Sequence, residues 1–434
     1  MKLIRTIESF YPKITGPSNQ AFKISSDLEK RGISCSIYTT NFDAGKVPET
    51  EKIENVDVKR FPVKYRFLKY IYSPSMKKAL IKEEADIIHA HCYRSYQSDI
   101  SYKIAKKKEK PFVLSTHGTL LSYKHFVSFP WKLAYDIYDL ITLKKTAKKA
   151  DAVIVNSLQE YNEALKFGIS KDNLHLIPVG IDIDKFNFNK KIEDKNKKEI
   201  NLLFVGGVTR NRPLMPILKA IKLINENRFK KIKDNISKEN KNKKDKKVKL
   251  TIIGSEYRSS FSGRLGYIDE LKSFVENNNL RDNVEFHSHK TQKELIEFYK
   301  KADVFVYLSK YESFGQPLLE AAASGLPVIC SDVGIARDIF ENEWIIEHKK
   351  DVKYKKEIKH KKDDSDESED MKEEIVNIIA EKIMKLFDAS LRQKIGEKNK
   401  EIVKRKFNWK EIINKYVELY TQLIEQSNDK QKSS

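Results

Sequence analysis

Two glutamates separated by seven residues, Glu312 and Glu320, flank a short polar turn of the chain. Between them lie Phe314, Gly315 and Gln316, whose backbone N–H groups are expected to be unpaired because a helix begins at this point. Gly315 has no side chain, so a ligand can approach the backbone closely. Carboxylates together with bare amides suit a polyhydroxylated ligand such as a sugar or a ribose. The alternative is an ordinary helix start with two surface acids, and this turn alone does not decide between the two.

The elements around the turn predict where the glutamates lie. A compact apolar run, Val304–Leu308, reads as a buried strand, and Pro317 is typical of a first helical turn. The predicted helix spans 317–324 and ends at Gly325, and a second apolar strand spans 327–330. A strand, a crossover helix and a strand form a right-handed unit of a parallel sheet. Because such sheets bind ligands beyond the carboxyl ends of their strands, we expect both glutamates at a ligand-binding edge.

Composition limits the class of protein. The 434 residues suffice for two domains, and 40% hydrophobic content can support two cores. The formal net charge of +21 suggests an anionic partner such as nucleotide phosphates, nucleic acid or an acidic membrane surface. Cys35, Cys92 and Cys330 have no paired or metal-type spacing, which indicates a reducing cytoplasm without disulfides. Without a membrane-spanning run or a signal peptide, the sequence predicts a cytoplasmic protein, either soluble or peripheral on the cytoplasmic membrane face.

The segment Glu312-Ser-Phe-Gly-Gln-Pro-Leu-Leu-Glu320, followed by Ala323-Ser-Gly-Leu-Pro-Val, closely resembles the E-x7-E signature of retaining GT-B glycosyltransferases. More narrowly, it resembles glycosyltransferase family 4. This resemblance implies an α/β GT-B fold, with two Rossmann-like domains whose parallel sheets face each other across a cleft. It implies an acceptor domain at 1–185, with a helix at 409–425 packing back on it, and a donor domain at 198–405.

The same resemblance implies a function. A family member would be a retaining, metal-independent hexosyltransferase that moves a hexose from a UDP- or GDP-linked sugar to a lipid-linked or glycan acceptor. No cofactor is expected, because the nucleotide sugar is a substrate. Glu312 would hold the hydroxyls of the donor sugar, together with the amides of Phe314, Gly315 and Gln316. Glu320 would accept hydrogen bonds from the ribose.

The segment 201–212 resembles the Gly-Arg-Leu-x-x-x-Lys-Gly segment in which family members neutralise the donor diphosphate. Gly207 stands in the place of the Arg and Arg212 in the place of the Lys. A guanidinium can bind two phosphate oxygens at once, so Arg212 is the diphosphate candidate and Arg210 is the candidate to replace the missing partner. The alternative is that both arginines are ordinary surface residues.

Three further positions complete the predicted donor site. They are two glycines at strand ends and a lysine in the loop 287–290, where family members read the base with backbone groups: Gly206, Gly254 and Lys290.

The first half opens with a predicted strand, Lys2–Ile7, and a loop that contains Gly16 and Pro17. In the family this loop carries a glycine pair beside the phosphates of the donor. Gly16 is the remaining glycine, and we predict a phosphate contact there.

Histidines lie on two predicted strands of the first half, 86–91 and 112–117. His89 and His91 are interpreted as packed residues, the usual state of a histidine on a strand. His117 ends the predicted strand 112–117 and precedes Gly118, at the edge where a ligand is expected. In the family a histidine at a similar strand end contacts the donor sugar near the reacting carbon, so we predict this role for His117.

Two segments, 64–82 and 122–145, combine lysines with aromatic residues. They suit contact with anionic lipid, stacking on nucleic-acid bases, or a buried aromatic core with solvated lysines. The family resemblance favours membrane contact. Two Lys-rich segments, 226–249 and 349–374, have too little apolar surface to fold alone and are predicted to be mobile insertions.

Asp182 and Asp184 form a D-x-D pair, which elsewhere holds a divalent metal. The turn 178–186 resembles the family's interdomain turn and accounts for both acids, so no metal site is predicted.

The competing functions are a non-enzymatic basic adaptor for nucleic acid or membrane, and a dinucleotide oxidoreductase. The latter lacks a G-x-G-x-x-G turn after any predicted strand. We therefore expect a nucleotide sugar, and not nucleic acid, as the partner.

Overall fold

The computed structural model describes residues 1–13, 15–67, 70–121, 129–186, 188, 198–226, 246–256, 266–347 and 369–433. These residues form two compact units, Met1–Gly180 with Trp409–Ser434, and Ile181–Asn408. Most of the predicted linker 190–198, most of the Lys-rich segments 226–249 and 349–374, and residues 122–128 of the second aromatic segment lie outside the described residues.

The first unit contains ten strands and seven helices among its described residues. The strands are β1 Lys2–Thr6, β2 Ser34–Thr40, β3 Thr50–Ile53, β4 Val56–Phe61, β5 Tyr65–Phe67, β6 Tyr70–Tyr72, β7 Ile87–His91, β8 Phe112–Ser115, β9 Ala152–Val155 and β10 Leu174–Leu176. The helices are α1 Gly16–Lys30, α2 Pro74–Lys82, α3 Tyr96–Lys107, α4 Phe129–Thr142, α5 Lys145–Lys148, α6 Leu158–Phe167 and, at the end of the chain, α14 Trp409–Ser433.

Eight of these strands form one sheet in the order β10-β9-β8-β7-β1-β2-β4-β3, and β5 pairs with β6 in a separate hairpin. All neighbours in the large sheet are parallel except β3 and β4. Ile4 pairs with Ile88, and His91 pairs with Ser115. The residues that follow β1, β7 and β8 therefore lie at the same edge of the sheet.

The central strands of the first sheet are buried on both faces, as is typical of parallel sheets. All five residues of β7 are buried. The final helix α14 covers one face, where Ile412, Tyr416 and Tyr420 pack in a cluster with Leu3 and Ile154. The end of the chain thus completes the core of the unit in which the chain begins.

The second unit has a six-stranded, wholly parallel sheet in its described part. Its strands are β11 Glu199–Val205, β12 Lys247–Ile253, β13 Val284–His287, β14 Val304–Tyr307, β15 Val328–Ser331 and β16 Ile345–Ile346. They lie in the order β13-β12-β11-β14-β15-β16. The helices are α7 Met215–Asn225, α8 Tyr267–Asn277, α9 Gln292–Lys301, α10 Gln316–Ala323, α11 Ala336–Ile339, α12 Glu369–Lys385 and α13 Ala389–Lys406.

The predicted α/β fold with two parallel sheets is confirmed. The predicted strand–helix–strand unit is β14, α10 and β15, and α10 begins one residue before the predicted Pro317. Gly315, at the N-cap, has φ 94°, a conformation that glycine adopts without strain. Pro317 lies in the first turn, where its missing N–H costs no hydrogen bond.

Some predicted boundaries were wrong, for identifiable reasons. Residues Lys247–Lys249 belong to β12 and not to an insertion, because exposed lysines alternate there with the buried Val248. The second Lys-rich segment likewise ends earlier than predicted, since α12 begins at Glu369. Helix α1 begins at Gly16, within the predicted loop, because the Thr15 side chain caps it.

Candidate active site

Glu312 is held by three donors at the end of β14. Its Oε1 accepts hydrogen bonds from Arg212 Nε at 2.8 Å, Tyr307 OH at 2.8 Å and Ser309 Oγ at 3.0 Å. Burial, followed by the nearby Glu312 carboxylate, raises the pKa of Tyr307 well above its usual value, so the phenol remains a donor. The carboxylate therefore has a fixed orientation and shares one oxygen with a guanidinium.

The loop after β11 brings Arg212 to Glu312. Lys310 N donates to Asn211 O at 2.8 Å, which ties this loop to the turn after β14. The pairing is possible because β11 and β14 are neighbours in the sheet, although the two residues are a hundred positions apart. The side chains of Arg212 and Glu312 are only 20% and 12% exposed. A charged pair of this kind stays ordered and can bind an anion on its cationic side.

The N-terminus of α10 lies beside this pair in sequence, and it is shaped for a close approach. Phe314 has a buried side chain, so it can offer a ligand only its backbone. A β-carbon at Gly334 would lie 2.1 Å from the carbonyl oxygen of Phe314, and Ile335 N donates to that oxygen at 2.9 Å. The turn is thereby fixed against the end of β15. The first N–H groups of a helix have no partner within the helix and carry partial positive charge, which favours an anionic or hydroxyl-rich ligand.

Glu320 lies about one turn into α10. Its Oε2 accepts from Tyr299 OH at 3.0 Å and its Oε1 from Gln316 Nε2 at 3.4 Å. Burial, together with the Glu320 carboxylate, raises the pKa of Tyr299 well above its usual value. These two neutral donors help to orient the carboxylate.

The two predicted glycines meet at adjacent strand ends. Gly254 N donates to His287 O and Gly206 N donates to Ile253 O, both at 3.0 Å. A β-carbon at Gly254 would lie 1.9 Å from Gly206 O, so any larger residue there would displace the loop after β11. The glycines therefore set the position of the loop that carries Arg212.

The structure does not bring the other two predicted cations to Glu312. Arg210 binds both carboxylate oxygens of Glu270 on α8 and lies over the Tyr267 ring. Lys290 pairs with Glu294 at 3.2 Å at the start of α9. Both pairs are largely exposed, so they contribute little to stability and a ligand could displace them.

In the first unit, Gly16 is the first residue of α1, and among the described residues, apart from its chain neighbours and its own helix backbone, no atom lies within 4 Å of the position of a β-carbon there. The fold itself therefore does not require glycine at this position. A requirement for glycine would come from a ligand at the start of α1.

His117 lies two residues beyond β8, with φ 50°, and not at the end of the strand as predicted. The residues on either side of it, Thr116 and Gly118, both donate to the buried carboxylate of Glu160. Burial raises the pKa of Glu160 to about 7, against the opposing effect of these donors. The imidazole Nε2 of His117 lies 2.8 Å from His91 Nδ1. His117 is thus held by the contacts of its two sequence neighbours and by its own ring.

Sequence reasoning missed the residues that orient the predicted ones. The sequence analysis treated Tyr307 only as part of an apolar strand and Ser309 only as part of a polar turn. A hydroxyl group at the end of a strand was a signal that could have marked both as site residues. Tyr299 carried no comparable signal. His89 and His91 are buried, as interpreted, but His91 also contacts His117.

Asp182 and Asp184 lie in and beside a short 3-10 helix, Ile183–Phe186, and Asp182 pairs with Lys185 at 3.4 Å. Within the described ranges, no group of three or more His, Cys, Asp or Glu side chains is arranged to hold a metal ion.

The chain is similar to known proteins over most of its length. Residues 14–185 match the family model described as Glycosyltransferase Family 4, and residues 185–377 match the model described as Glycosyl transferases group 1. Alpha-monoglucosyldiacylglycerol synthase of Streptococcus pneumoniae is 24% identical over 336 residues, which cover 74% of this chain and 69% of that protein.

Two solved structures share the fold. Sucrose-phosphate synthase from Thermosynechococcus elongatus superposes with a TM-score of 0.70 at 20% identity, covering 98% of this chain and 99% of that one. HepE from Anabaena, solved in complex with UDP and glucose, superposes with a TM-score of 0.63 at 15% identity, covering 97% and 100%.

Proposed function

Because the chain belongs to glycosyltransferase family 4 and has the GT-B fold, we propose that it transfers a hexose from a UDP- or GDP-linked sugar to a lipid-linked or glycan acceptor, with retention of anomeric configuration. The observation that carries this proposal is the Arg212–Glu312 pair beside the N-terminus of α10, with Glu320 one turn further on. Cationic, amide and carboxylate groups are the set that a diphosphate, a sugar and a ribose require.

Each group has one part of the donor to bind. Arg212 binds the diphosphate, and the N–H groups at the start of α10, which we predicted at the sugar hydroxyls, also stabilise the negative charge that develops as the diphosphate leaves. Glu312 accepts from hydroxyls of the hexose, and Glu320 accepts from hydroxyls of the ribose. The likeness to HepE, a protein solved with UDP and glucose, supports a nucleotide-sugar donor.

Retention requires the acceptor to approach the face from which the diphosphate leaves. The sugar becomes positively charged in the transition state, and the leaving phosphate oxygen takes the proton of the acceptor hydroxyl. No side chain has to act as a general base in this scheme. Positive charge comes from Arg212 and the helix N-terminus, so we propose that the reaction needs no divalent cation and no cofactor.

A donor panel tests this proposal. Purified protein is mixed with UDP, GDP, ADP and their hexose derivatives, and thermal unfolding is followed, since a ligand that binds the folded state raises the midpoint. One base is expected to stabilise the protein. With that donor and a membrane lipid extract as acceptor, NMR of the product is expected to show the anomeric configuration of the donor, with activity unchanged by EDTA. The proposal is contradicted if the product has the inverted configuration, or if none of the nucleotides raises the unfolding midpoint.

The first unit supplies a reason to propose a lipid-linked acceptor. One side of α4 exposes aliphatic residues with the spacing of a single helix face, and Leu140 and Ile141 are 73% and 76% exposed. The helix also exposes Leu133 and Ile137 on this side, and the exposed Leu143 comes directly after its end. A contiguous apolar ridge on a surface helix is typical of a binding surface.

The opposite side of α4 is firmly anchored. Asp139 Oδ2 pairs with Arg94 Nη2 at 2.7 Å in a buried ion pair, and Tyr138 OH donates to Asp99 Oδ1 at 2.6 Å. Tyr135 is also buried. Tyr135 and Tyr138, two aromatic residues of the segment that we expected at a membrane, therefore face inward, and the aliphatic residues face outward.

The β5–β6 hairpin lies beside α4, and a lysine cluster follows the helix. The Tyr70 and Tyr138 rings lie 6.4 Å apart, which places the hairpin beside α4, and the hairpin exposes Tyr65 and Phe67. The exposed lysines that follow α4 are Lys145, Lys148 and Lys149. None of the helices described in the structure is both long and apolar enough to cross a bilayer. We propose that this apolar and basic surface rests on an anionic membrane that carries the acceptor, peripherally and on the cytoplasmic face.

Vesicle sedimentation tests the membrane surface. The double variant Leu140→Asp/Ile141→Asp is expected to weaken binding to vesicles rich in phosphatidylglycerol by at least about tenfold, because two aliphatic side chains no longer enter the interface. Leu165→Asp, at an exposed leucine of α6, is the matched control and is expected to bind like the wild type. Equal binding by the double variant, or no binding by the wild type, contradicts this part of the proposal.

A further inference from the structure

A buried arginine of the first unit has no acidic partner among the residues that the structure describes. Arg5, on β1, is 0% exposed, and its guanidinium contacts no carboxylate within the described part of the chain. Its hydrogen-bond partners include the Cys35 thiol, His89 Nδ1 at 3.1 Å, His91 Nε2 at 3.3 Å and Tyr420 OH at 2.8 Å. A buried cation that binds imidazoles in place of carboxylates is costly, which suggests that it is retained for its effect on those imidazoles.

The donor character of Arg5 fixes where the protons of these histidines lie. A guanidinium has five N–H donors and no acceptor, so each nitrogen that it contacts must be unprotonated. His89 Nδ1 and His91 Nε2 are therefore acceptors. A neutral imidazole carries one proton, so His89 carries it on Nε2, 2.8 Å from Ser115 Oγ. His91 carries it on Nδ1, 2.8 Å from His117 Nε2.

The same reasoning extends one step further, to His117. Since His91 Nδ1–H donates to His117 Nε2, that nitrogen is the acceptor, and the proton of a neutral His117 lies on Nδ1. Burial, and then the charge of Arg5, lowers the pKa of His117 to about 3, which agrees with a neutral ring. Burial similarly lowers the pKa values of His89 and His91.

We infer that Arg5 is a positioning residue, which acts through His91 to fix His117 as its Nδ1–H tautomer and so presents a hydrogen-bond donor at the sheet edge. His117 is then unsuited to act as a base, because the nitrogen that could accept a proton is occupied by His91. In the proposed transferase, on which this role rests, the Nδ1–H group donates to a substrate oxygen at this edge of the first unit's sheet. Arg5 itself does not touch the substrate, because its effect passes through His91 and His117.

The tautomer is measured directly in the apo protein, so the result does not depend on glycosyl transfer. Long-range 1H–15N spectra of protein labelled at its histidines are assigned for His117 by the signals lost in His117→Gln. The wild type is expected to show a protonated Nδ1 and an unprotonated Nε2 for His117. A protonated Nε2 on His117 in the wild type overturns the inference, even if every variant fails to fold.

Two variants then assign the tautomer to Arg5. Arg5→Met removes the donor to His91 and is expected to give a mixture of His117 tautomers. Tyr420→Phe removes another partner of Arg5 but leaves the His91–His117 branch in place, and it is expected to keep the wild-type His117 signals. An unchanged His117 tautomer in folded Arg5→Met overturns the role of Arg5. Loss of transfer with wild-type spectra would count against the proposed function of His117 and not against the tautomer.

Discussion

Glu312→Gln is expected to lower kcat by about three orders of magnitude, the scale of losing one preorganised electrostatic contact in a transition state. The amide carries no charge, so it holds neither the sugar hydroxyls nor the Arg212 guanidinium as the carboxylate does. Tyr307 OH and Ser309 Oγ can still donate to the amide oxygen, so the turn after β14 keeps its hydrogen bonds. Initial rates with saturating donor measure the loss, and a thermal melt checks the fold.

The control for this variant is Glu343→Gln, which breaks an exposed ion pair with Lys385 in the same unit. Surface pairs of this kind contribute little, so wild-type rates are expected. Wild-type rates in Glu312→Gln itself would remove Glu312 from the mechanism.

Arg212→Met is expected to lower kcat by a similar factor, about 10³, because the leaving diphosphate loses its nearest guanidinium. Arg212→Lys retains the charge but not the planar pair of donors, so it is expected to restore only part of the rate. Arg212 and Glu312 are hydrogen-bonded, so the double variant should lose much less than the product of the two single losses.

Arg281→Met is the matched control for the arginine, since Arg281 is 74% exposed and pairs with Glu276. It is expected to keep the wild-type kcat. A fully active Arg212→Met, or losses in the double variant that multiply independently, would show that the pair does not act as a unit.

The sequence predicted the β14–α10–β15 corner to within a residue at each boundary of α10, because its signals are local. A glycine at positive φ starts the helix, a proline occupies its first turn, and Gly325 follows its end. Where composition hid the pattern, as in Lys247–Lys249, the alternation of buried and exposed positions was overlooked.

The contacts within the site were less predictable, because they depend on which strands become neighbours. Arg212 reaches Glu312 only because β11 lies next to β14, and His91 reaches His117 only because β7 lies next to β8. Strand order is decided by packing across the whole sheet, which no local pattern encodes. Arg210 and Glu270 are likewise distant in sequence, so their pairing could not be predicted from a local pattern.

Calorimetric titration of the wild type, Glu312→Gln and Glu320→Gln tests the central claim, that these two acids bind opposite ends of one nucleotide sugar. The probes are UDP, UDP-glucose, GDP and GDP-mannose. With the base that the wild type binds, Glu320→Gln is expected to lower the affinity for the nucleoside diphosphate and for the nucleotide sugar equally. The expected loss is about tenfold, as for a lost hydrogen bond to a charged group. Glu312→Gln is expected to weaken the nucleotide sugar more than the nucleoside diphosphate. Unchanged nucleotide affinity in Glu320→Gln, or identical affinity profiles for the two variants, would contradict the account.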